Sequence, residues 1–247
     1  MKLAVDNIAF RYDEEPLFQG LSFNVEAGEF VSILGPSGCG KSTVLNLLAG
    51  ILTPEGGNMY VDGAPIRGMS SHFAYMPQND LLFPWKTIMQ NVCLHGRIHG
   101  NEKAARERAQ ALFGLFGLAG YENAWPSDLS GGMRQRAAFL RTTLCDADIL
   151  LLDEPFGALD VISRGDMQDW LVSMKQHLGR TCLLVTHDID EAIFLSDRIL
   201  VMGGRPAAIR SEYRVDESNR TREWLYAQSE LRHRLHDSIR GLETEKC

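Results

Sequence analysis

"GPSGCGKST" (35–43) stands directly after the apolar run "FVSIL" (30–34) and directly before the apolar-periodic "VLNLLAG" (44–50). A plain glycine turn has no use for a lysine and two hydroxyl residues at fixed offsets. The stretch fits G-x-x-x-x-G-K-[ST] over 35–42, between a strand candidate and a helix candidate. Gly35, Gly38 and Gly40 let the backbone curl until successive N–H groups point inward at phosphate oxygens. A helix beginning near Lys41 aims the positive end of its dipole at the same anion. Lys41 brings a point charge to the β- and γ-phosphates, and the Ser42 hydroxyl is a ligand for Mg²⁺. The whole loop is therefore expected to hold ATP: Gly35, Pro36, Ser37, Gly38, Cys39, Gly40, Lys41, Ser42 and Thr43.

A phosphate cradle with Mg²⁺ needs an acid to hold the metal. "ILLLDEP" (149–155) supplies Asp153 at the end of an apolar strand. Glu154 follows at once. Successive strand residues face opposite ways, but at a strand end that constraint relaxes. Glu154 is then free to polarise an attacking water.

Bulk properties bound the rest. The 247 residues suffice for one large domain or two lobes sharing a core. Hydrophobic residues make up 45% and charged residues 23%, an ordinary globular balance. The net charge of −7 argues against a protein that coats nucleic acid. No stretch approaches the roughly 18 apolar residues that span a membrane. Asp6 and Asn7 interrupt what would be the apolar part of an export signal, so none is expected. Cys39, Cys93, Cys145, Cys182 and Cys247 are scattered, with no CxxC pair. That spacing implies neither a disulfide framework nor a zinc site.

Short apolar runs alternate with helical patterns. The strand candidates are 30–35, 149–153, 182–187 and 198–202; the helix candidates are 41–50, 103–117, 131–146, 163–178 and 222–240. Continuous apolar runs suit strands buried on both faces of a mostly parallel sheet, so the fold class is α/β. Residues 1–28 and 56–76 are turn-rich and β-like, an expected antiparallel β subdomain. Residues 86–146 are mostly helical and separate the two nucleotide motifs, an inserted α-helical subdomain. The nucleotide-binding core then comprises about 1–85 and 147–204, and 205–247 is a helical tail. In that tail Trp224, Leu231, Leu235 and Leu242 fall near one helix face, as in an amphipathic helix lying on the core.

Between the two motifs lies "LSGGM" (129–133), followed by "RQRAAFLRTTL" (134–144). With "GPSGCGKS" and "LLLDEP", this resembles an ATP-binding-cassette ATPase with a P-loop NTPase core. Met133 departs from the usual LSGGQ. The resemblance implies that Ser130 and the N–H groups of Gly131 and Gly132 face a phosphate; capping and dipole arguments give Ser130 that role independently, although "LSGG" alone is a common helix N-cap. The resemblance extends over nearly the whole chain. Tyr12 in "FRYDEE" matches an aromatic that stacks on adenine. Gln78 in "YMPQND" matches a glutamine that senses γ-phosphate and Mg²⁺. Asp160 in "GALD" matches the acid facing a second subunit, and His187 in "LLVTHD" a γ-phosphate histidine. The implied enzyme is an ATPase working as a head-to-tail homodimer. Each loop at 35–43 is closed by the other copy's Ser130–Gly132, while Glu154 and His187 position water.

"LLFPW" (81–85) puts five apolar residues in a Pro-broken loop. Either they plug the gap between core and helical lobe, or they line a groove for a partner helix. In the family, this junction couples nucleotide state to membrane permease subunits. The stretch also resembles the "LLPW" of bacterial importer ATPases for nitrate, sulfonate, taurine and pyrimidine precursors, with Phe83 as an extra residue. The resemblance implies a peripheral protein on the cytoplasmic face of the inner membrane, with a solute-binding protein as an indirect partner. Two other classes compete: a soluble cassette ATPase acting on nucleic acid or ribosomes, and a small-molecule kinase. The first usually carries coiled-coil insertions or tandem cassettes, and the second has no use for "LSGGM".

Overall fold

The computed structural model of the chain describes residues 1–217 and 219–244, so Cys247 lies outside the described residues. The chain runs β1 (Leu3–Arg11), β2 (Pro16–Val25), β3 (Phe30–Leu34), α1 (Lys41–Leu48), β4 (Gly56–Val61), β5 (Ala64–Ile66) and β6 (Phe73–Met76). Then come α2 (Ile88–Val92), α3 (Leu94–Ile98), α4 (Glu102–Phe113), a 3₁₀ turn (Pro126–Asp128) and α5 (Gly131–Thr143). The chain returns through β7 (Ile149–Asp153), α6 (Val161–Leu178), β8 (Thr181–Thr186), α7 (Ile189–Leu195) and β9 (Arg198–Gly203). It closes with β10 (Ala208–Arg214), α8 (Arg222–Ala227) and α9 (Ser229–Thr244).

Two sheets result. The core sheet has the order β10-β9-β3-β8-β7-β6, parallel from β9 to β6, with β10 antiparallel at one edge. The second sheet, β2-β1-β4-β5, is antiparallel throughout. Every residue of β3, β7, β8 and β9 is buried, as expected of parallel strands covered on both faces. Their alternate side chains divide between two apolar layers. Phe30, Leu34, Leu150, Leu152, Leu184 and Val201 face the helices, α5 to α9 among them. Val31, Ile33, Leu151, Val185 and Leu200 face α1 and the antiparallel sheet. The hairpin joining β4 to β5 turns at Asp62 and Gly63, with φ of 51° and 77°. Two positive φ angles make the turn whose twist matches paired strands.

Three expectations need correction. Phe73–Met76 is not part of the antiparallel sheet; it pairs in parallel with β7 at the edge of the core. The segment from 205 onward is not all helical, because Ala208–Arg214 is a core-sheet strand paired with β9. The helix expected over 222–240 breaks at Gln228 into α8 and α9. The amphipathic reading of that tail holds: Leu235 and Leu242 are buried, with Trp224 and Leu231 packed beside them.

Candidate functional site

The loop from β3 to α1 is set by close approach. A Cβ on Gly35 would lie 2.1 Å from the Met202 carbonyl oxygen, so only glycine fits. Gly38 and Gly40 have φ of 78° and 100°, a region L-residues rarely adopt. Gly40 also lies against Phe18, where a Cβ would come within 2.9 Å of the ring. Among the described residues, the N–H groups of Gly38, Gly40, Lys41 and Ser42 find no hydrogen-bond acceptor. They converge at the N-terminus of α1, a ready anion site. Lys41 is buried, its Nζ donating to the carbonyls of Gly35 (2.9 Å) and Pro36 (3.0 Å). Cys39 turns the other way, its Sγ 3.6 Å from the Met202 carbonyl oxygen, so its side chain does not line the loop's interior.

β7 delivers the acids. Asp153 accepts from Ser42 Oγ (2.8 Å) on one oxygen and from Tyr75 Oη (3.0 Å) on the other. Burial pushes its pKa up, against the pull of those two hydrogen bonds. Burial, with Asp153 beside it, likewise pushes Tyr75 up, so the phenol stays a donor. These hard oxygens fit a Mg²⁺ ion. Mg²⁺ takes one or two protein ligands and completes its shell with phosphate and water. Among the described residues no cluster of three or more His, Cys, Asp or Glu offers a closed metal cage.

Glu154 is one of the few non-glycine residues at positive φ, 42°. Its N–H still bonds the Val185 carbonyl (2.9 Å) as the strand ends. This twist turns its carboxylate away from the strand alternation and into the row of loops. There Glu154 lies 3.1 Å from His187 Nδ1 and accepts from Gln78 Nε2 at 3.4 Å. Strained backbone of this kind concentrates at functional sites. The three residues follow β6, β7 and β8, adjacent parallel strands. Met76 pairs with Leu152, and Asp153 with Val185. The next residues of each chain therefore emerge in a line at the carboxyl ends of the strands, where α/β sheets bind ligands.

A cleft of about 290 Å³ opens on this line, walled by Tyr12, Gly38, Lys41, Thr43 and Glu154. The Tyr12 ring is 61% exposed and stands edge-on to Phe10, its hydroxyl 3.1 Å from Thr43 Oγ1.

The remaining expected residues form a second group. Ser130 caps α5, accepting from the Met133 N–H at 3.3 Å. Asp160 caps α6, accepting from Ile162 and Ser163 N–H groups at 3.1 Å each, and the Ser163 bond holds its pKa down. The two caps adjoin: a Cβ on Gly131 would sit 3.4 Å from Leu159, and one on Gly132 would sit 3.9 Å from Ser163. Among the described residues, no hydrogen bond or ion pair links Ser130, Gly131, Gly132 or Asp160 to Lys41, Ser42, Asp153, Glu154 or His187. The expected residues thus fall into two groups.

The Leu81–Trp85 loop is divided between core and surface. Leu82 is buried in the core, while Leu81 and Trp85 are 60% and 68% exposed. Arg141 donates to the carbonyls of Asp80 (2.6 Å) and Leu81 (2.8 Å). Asn91, fully buried, bonds Phe83 from both its N–H (2.7 Å) and carbonyl (3.1 Å) sides. The exposed apolar side chains therefore stand on a fixed backbone. Sequence reading missed Arg141 and Tyr75, because each acts through a partner distant in the chain, and Asn91, because its partners are loop backbone groups that no motif marks.

The model of the family described as ABC transporter matches residues 18–157, from β2 through the Asp153–Glu154 pair. The chain belongs to the ABC transporter family. This cassette is 42% identical over 247 residues to the formylaminopyrimidine import ATP-binding protein ThiZ of Halalkalibacterium halodurans, covering 99% of this chain and 97% of the relative. It is 44% identical over 191 residues to the aliphatic sulfonates import ATP-binding protein SsuB 2 of Agrobacterium fabrum, covering 77% and 72% of the two. Among solved structures, it superposes on the dimeric ATP-binding cassette MJ0796 in a post-hydrolysis state bound to ADP and Pi. That match has a TM-score of 0.71 and 26% identity, covering 87% of this chain and 99% of that one. The cassette is an ATP-binding ATPase subunit of this family, with the α/β P-loop fold and antiparallel β sheet expected from the sequence.

Proposed function

We propose that this cassette powers uptake of a small solute by hydrolysing ATP as a head-to-tail dimer. The observation that carries it is Glu154, held by Gln78 and His187 beside a loop of unbonded N–H groups. The triphosphate would lie in the curl of Gly35–Thr43, with Lys41 turning from the Gly35 and Pro36 carbonyls toward the β- and γ-phosphates. Tyr12 would stack on the adenine. Ser42, Asp153 and Gln78 are the residues that would hold Mg²⁺, which supplies positive charge to the β- and γ-phosphate oxygens. Glu154 orients a water in line with the γ-phosphate and draws off its proton, while His187 contacts the γ-phosphate. The second copy's Ser130, Gly131 and Gly132 close the site, and Asp160 faces that copy. Positioning and charge stabilisation do most of the work.

Among the described residues no helix is long and apolar enough to cross a membrane. Transport therefore needs separate permease subunits. We place their contact at Leu81, Pro84 and Trp85, on the cytoplasmic face of the inner membrane, with a solute-binding protein acting through the permease. The named relatives support a pyrimidine-precursor or sulfonate solute over nitrate. The test is Glu154→Gln. It should bind ATP with unchanged affinity, hydrolyse it roughly 10²–10⁴-fold more slowly, and run as a dimer when ATP is present. Wild-type hydrolysis by that variant refutes the reading.

A further inference from the structure

The loop carrying His187 rests on a carboxylate that the reaction above does not use. Glu191, in the first turn of α7, is 4% exposed. One of its oxygens accepts from Thr186 Oγ1 at 2.6 Å, the other from Gln168 Nε2 at 3.2 Å. Thr186 Oγ1 in turn accepts from the Asp188 N–H at 3.0 Å. A hydroxyl carries a single proton, and with Glu191 ionised, above about pH 7, it is committed to Glu191. The Thr186 lone pair is thereby left for Asp188. Donors therefore run one way, from Asp188 to Thr186 to Glu191, and bracket His187 on both sides.

The far end of this chain is also fixed. Arg222, at the start of α8, donates to Gln168 Oε1 at 3.1 Å, so the amide must turn its Nε2 toward Glu191. Arg222 is itself held by the Gly165 carbonyl (2.7 Å) and Asp169 (2.8 Å), and stacks 4.5 Å over Phe194. One turn earlier on α6, Arg164 lies 3.8 Å from the Asp188 carboxylate. A carboxylate at this depth is a poor way to fill space, because burial penalises its charge. A leucine or methionine would pack there without that penalty. What the carboxylate adds is two directed acceptors.

We propose that Glu191 is a positioning residue that, through Thr186, sets the His187 imidazole against Glu154. This rests on the role given to His187 above.

The test is the steady-state ATPase of the full chain across ATP concentrations. Thr186→Val keeps the branched shape and deletes the hydroxyl, and Thr186→Ser keeps the hydroxyl. Thr186→Val and Glu191→Gln are each expected to lower kcat about tenfold with KM changed less than about twofold. Thr186→Ser should stay within about threefold of wild type. The Thr186→Val/Glu191→Gln double variant should be no slower than the worse single variant, because the two act as one unit. Urea unfolding of Thr186→Val confirms that the fold persists. Wild-type kcat in Thr186→Val, or an equal loss in Thr186→Ser, overturns the proposal. His187→Ala separates the two claims. If it is as active as wild type, the role of His187 fails first. If it is inactive while Thr186→Val is not, only the Glu191 assignment falls.

Discussion

Replacing Glu191 by glutamine should make the protein more stable at alkaline pH while making it slower. Burial pushes the Glu191 pKa from its ordinary 4.5 up to about 7. The carboxyl faces Thr186 from β8, Gln168 and Arg164 from α6, and Asp188 at the start of its own helix. Asp188 adds to the upward push, while Thr186, Arg164 and Gln168 pull the other way. The native chain therefore keeps this proton to higher pH than the unfolded chain does. The stability it represents is whole below pH 4.5 and is lost as pH rises through about 7. At about 1.36 kcal/mol per pKa unit, the loss between pH 5 and pH 8 comes to ~2.5 kcal/mol. Glutamine has no proton to lose. It also mismatches one of two donors, from Thr186 or Gln168, which costs about 1 kcal/mol at every pH. Urea unfolding followed by tryptophan fluorescence, at several pH values, gives both curves. The wild-type minus variant difference should fall by ~2.5 kcal/mol from pH 5 to pH 8. Parallel curves, within about 0.5 kcal/mol, refute the claim that Glu191 is ionised against its burial. A variant that is destabilised at every pH and keeps full turnover would leave the carboxylate a plain packing element.

Four further outcomes follow from the geometry. Gly35→Ala should abolish ATP binding, measured by titration with a fluorescent analogue, since its Cβ would sit 2.1 Å from the Met202 carbonyl oxygen. Gly38→Ala, with open space around its Cβ, should only weaken binding, because it meets a left-handed φ of 78° at about 1–2 kcal/mol. Tyr75→Phe removes the 3.0 Å bond to Asp153 and should raise the Mg²⁺ concentration needed for half-maximal ATPase several-fold, with ATP held saturating. Trp85→Ala, at a site 68% exposed, should leave the unfolding free energy within about 0.5 kcal/mol and the isolated ATPase intact, while abolishing stimulation by the reconstituted permease.

The parts of the fold that could be read from sequence are those whose chemistry is local. The glycines of the phosphate loop and its lysine sit within nine residues, and the helix follows directly. The buried strands announce themselves as unbroken apolar runs. β6 does not, because "FAYM" is four residues with only alternate burial, and its place is decided by pairing with β7 far along the chain. β10 fails for a related reason. "AIRSEYR" lies at a sheet edge with one face toward solvent, so its charges resemble those of a tail. Tyr75 and Glu191 were missed because neither carries a motif. Tyr75 meets Asp153 only because β6 and β7 pair in parallel. Glu191 gains its meaning from Gln168, 23 residues upstream.

That distinction explains how the site is divided. The glycine-rich loop is written in one segment, but the cluster of Gln78, Glu154 and His187 is assembled from three, each following a different strand. Gln78, Glu154 and His187 meet because β6, β7 and β8 pair in register and end at the same level. A strand slip of one residue would turn every side chain of β7 to the other layer. The same slip would exchange Asp153 with Glu154. The apolar alternation of "ILLLD" against the two core layers thus protects more than stability. It keeps the Asp153 carboxylate beside Ser42 and the Glu154 carboxylate between Gln78 and His187. The positive φ at Glu154 completes that separation, because two adjacent acids could not otherwise reach these neighbouring partners from one strand end.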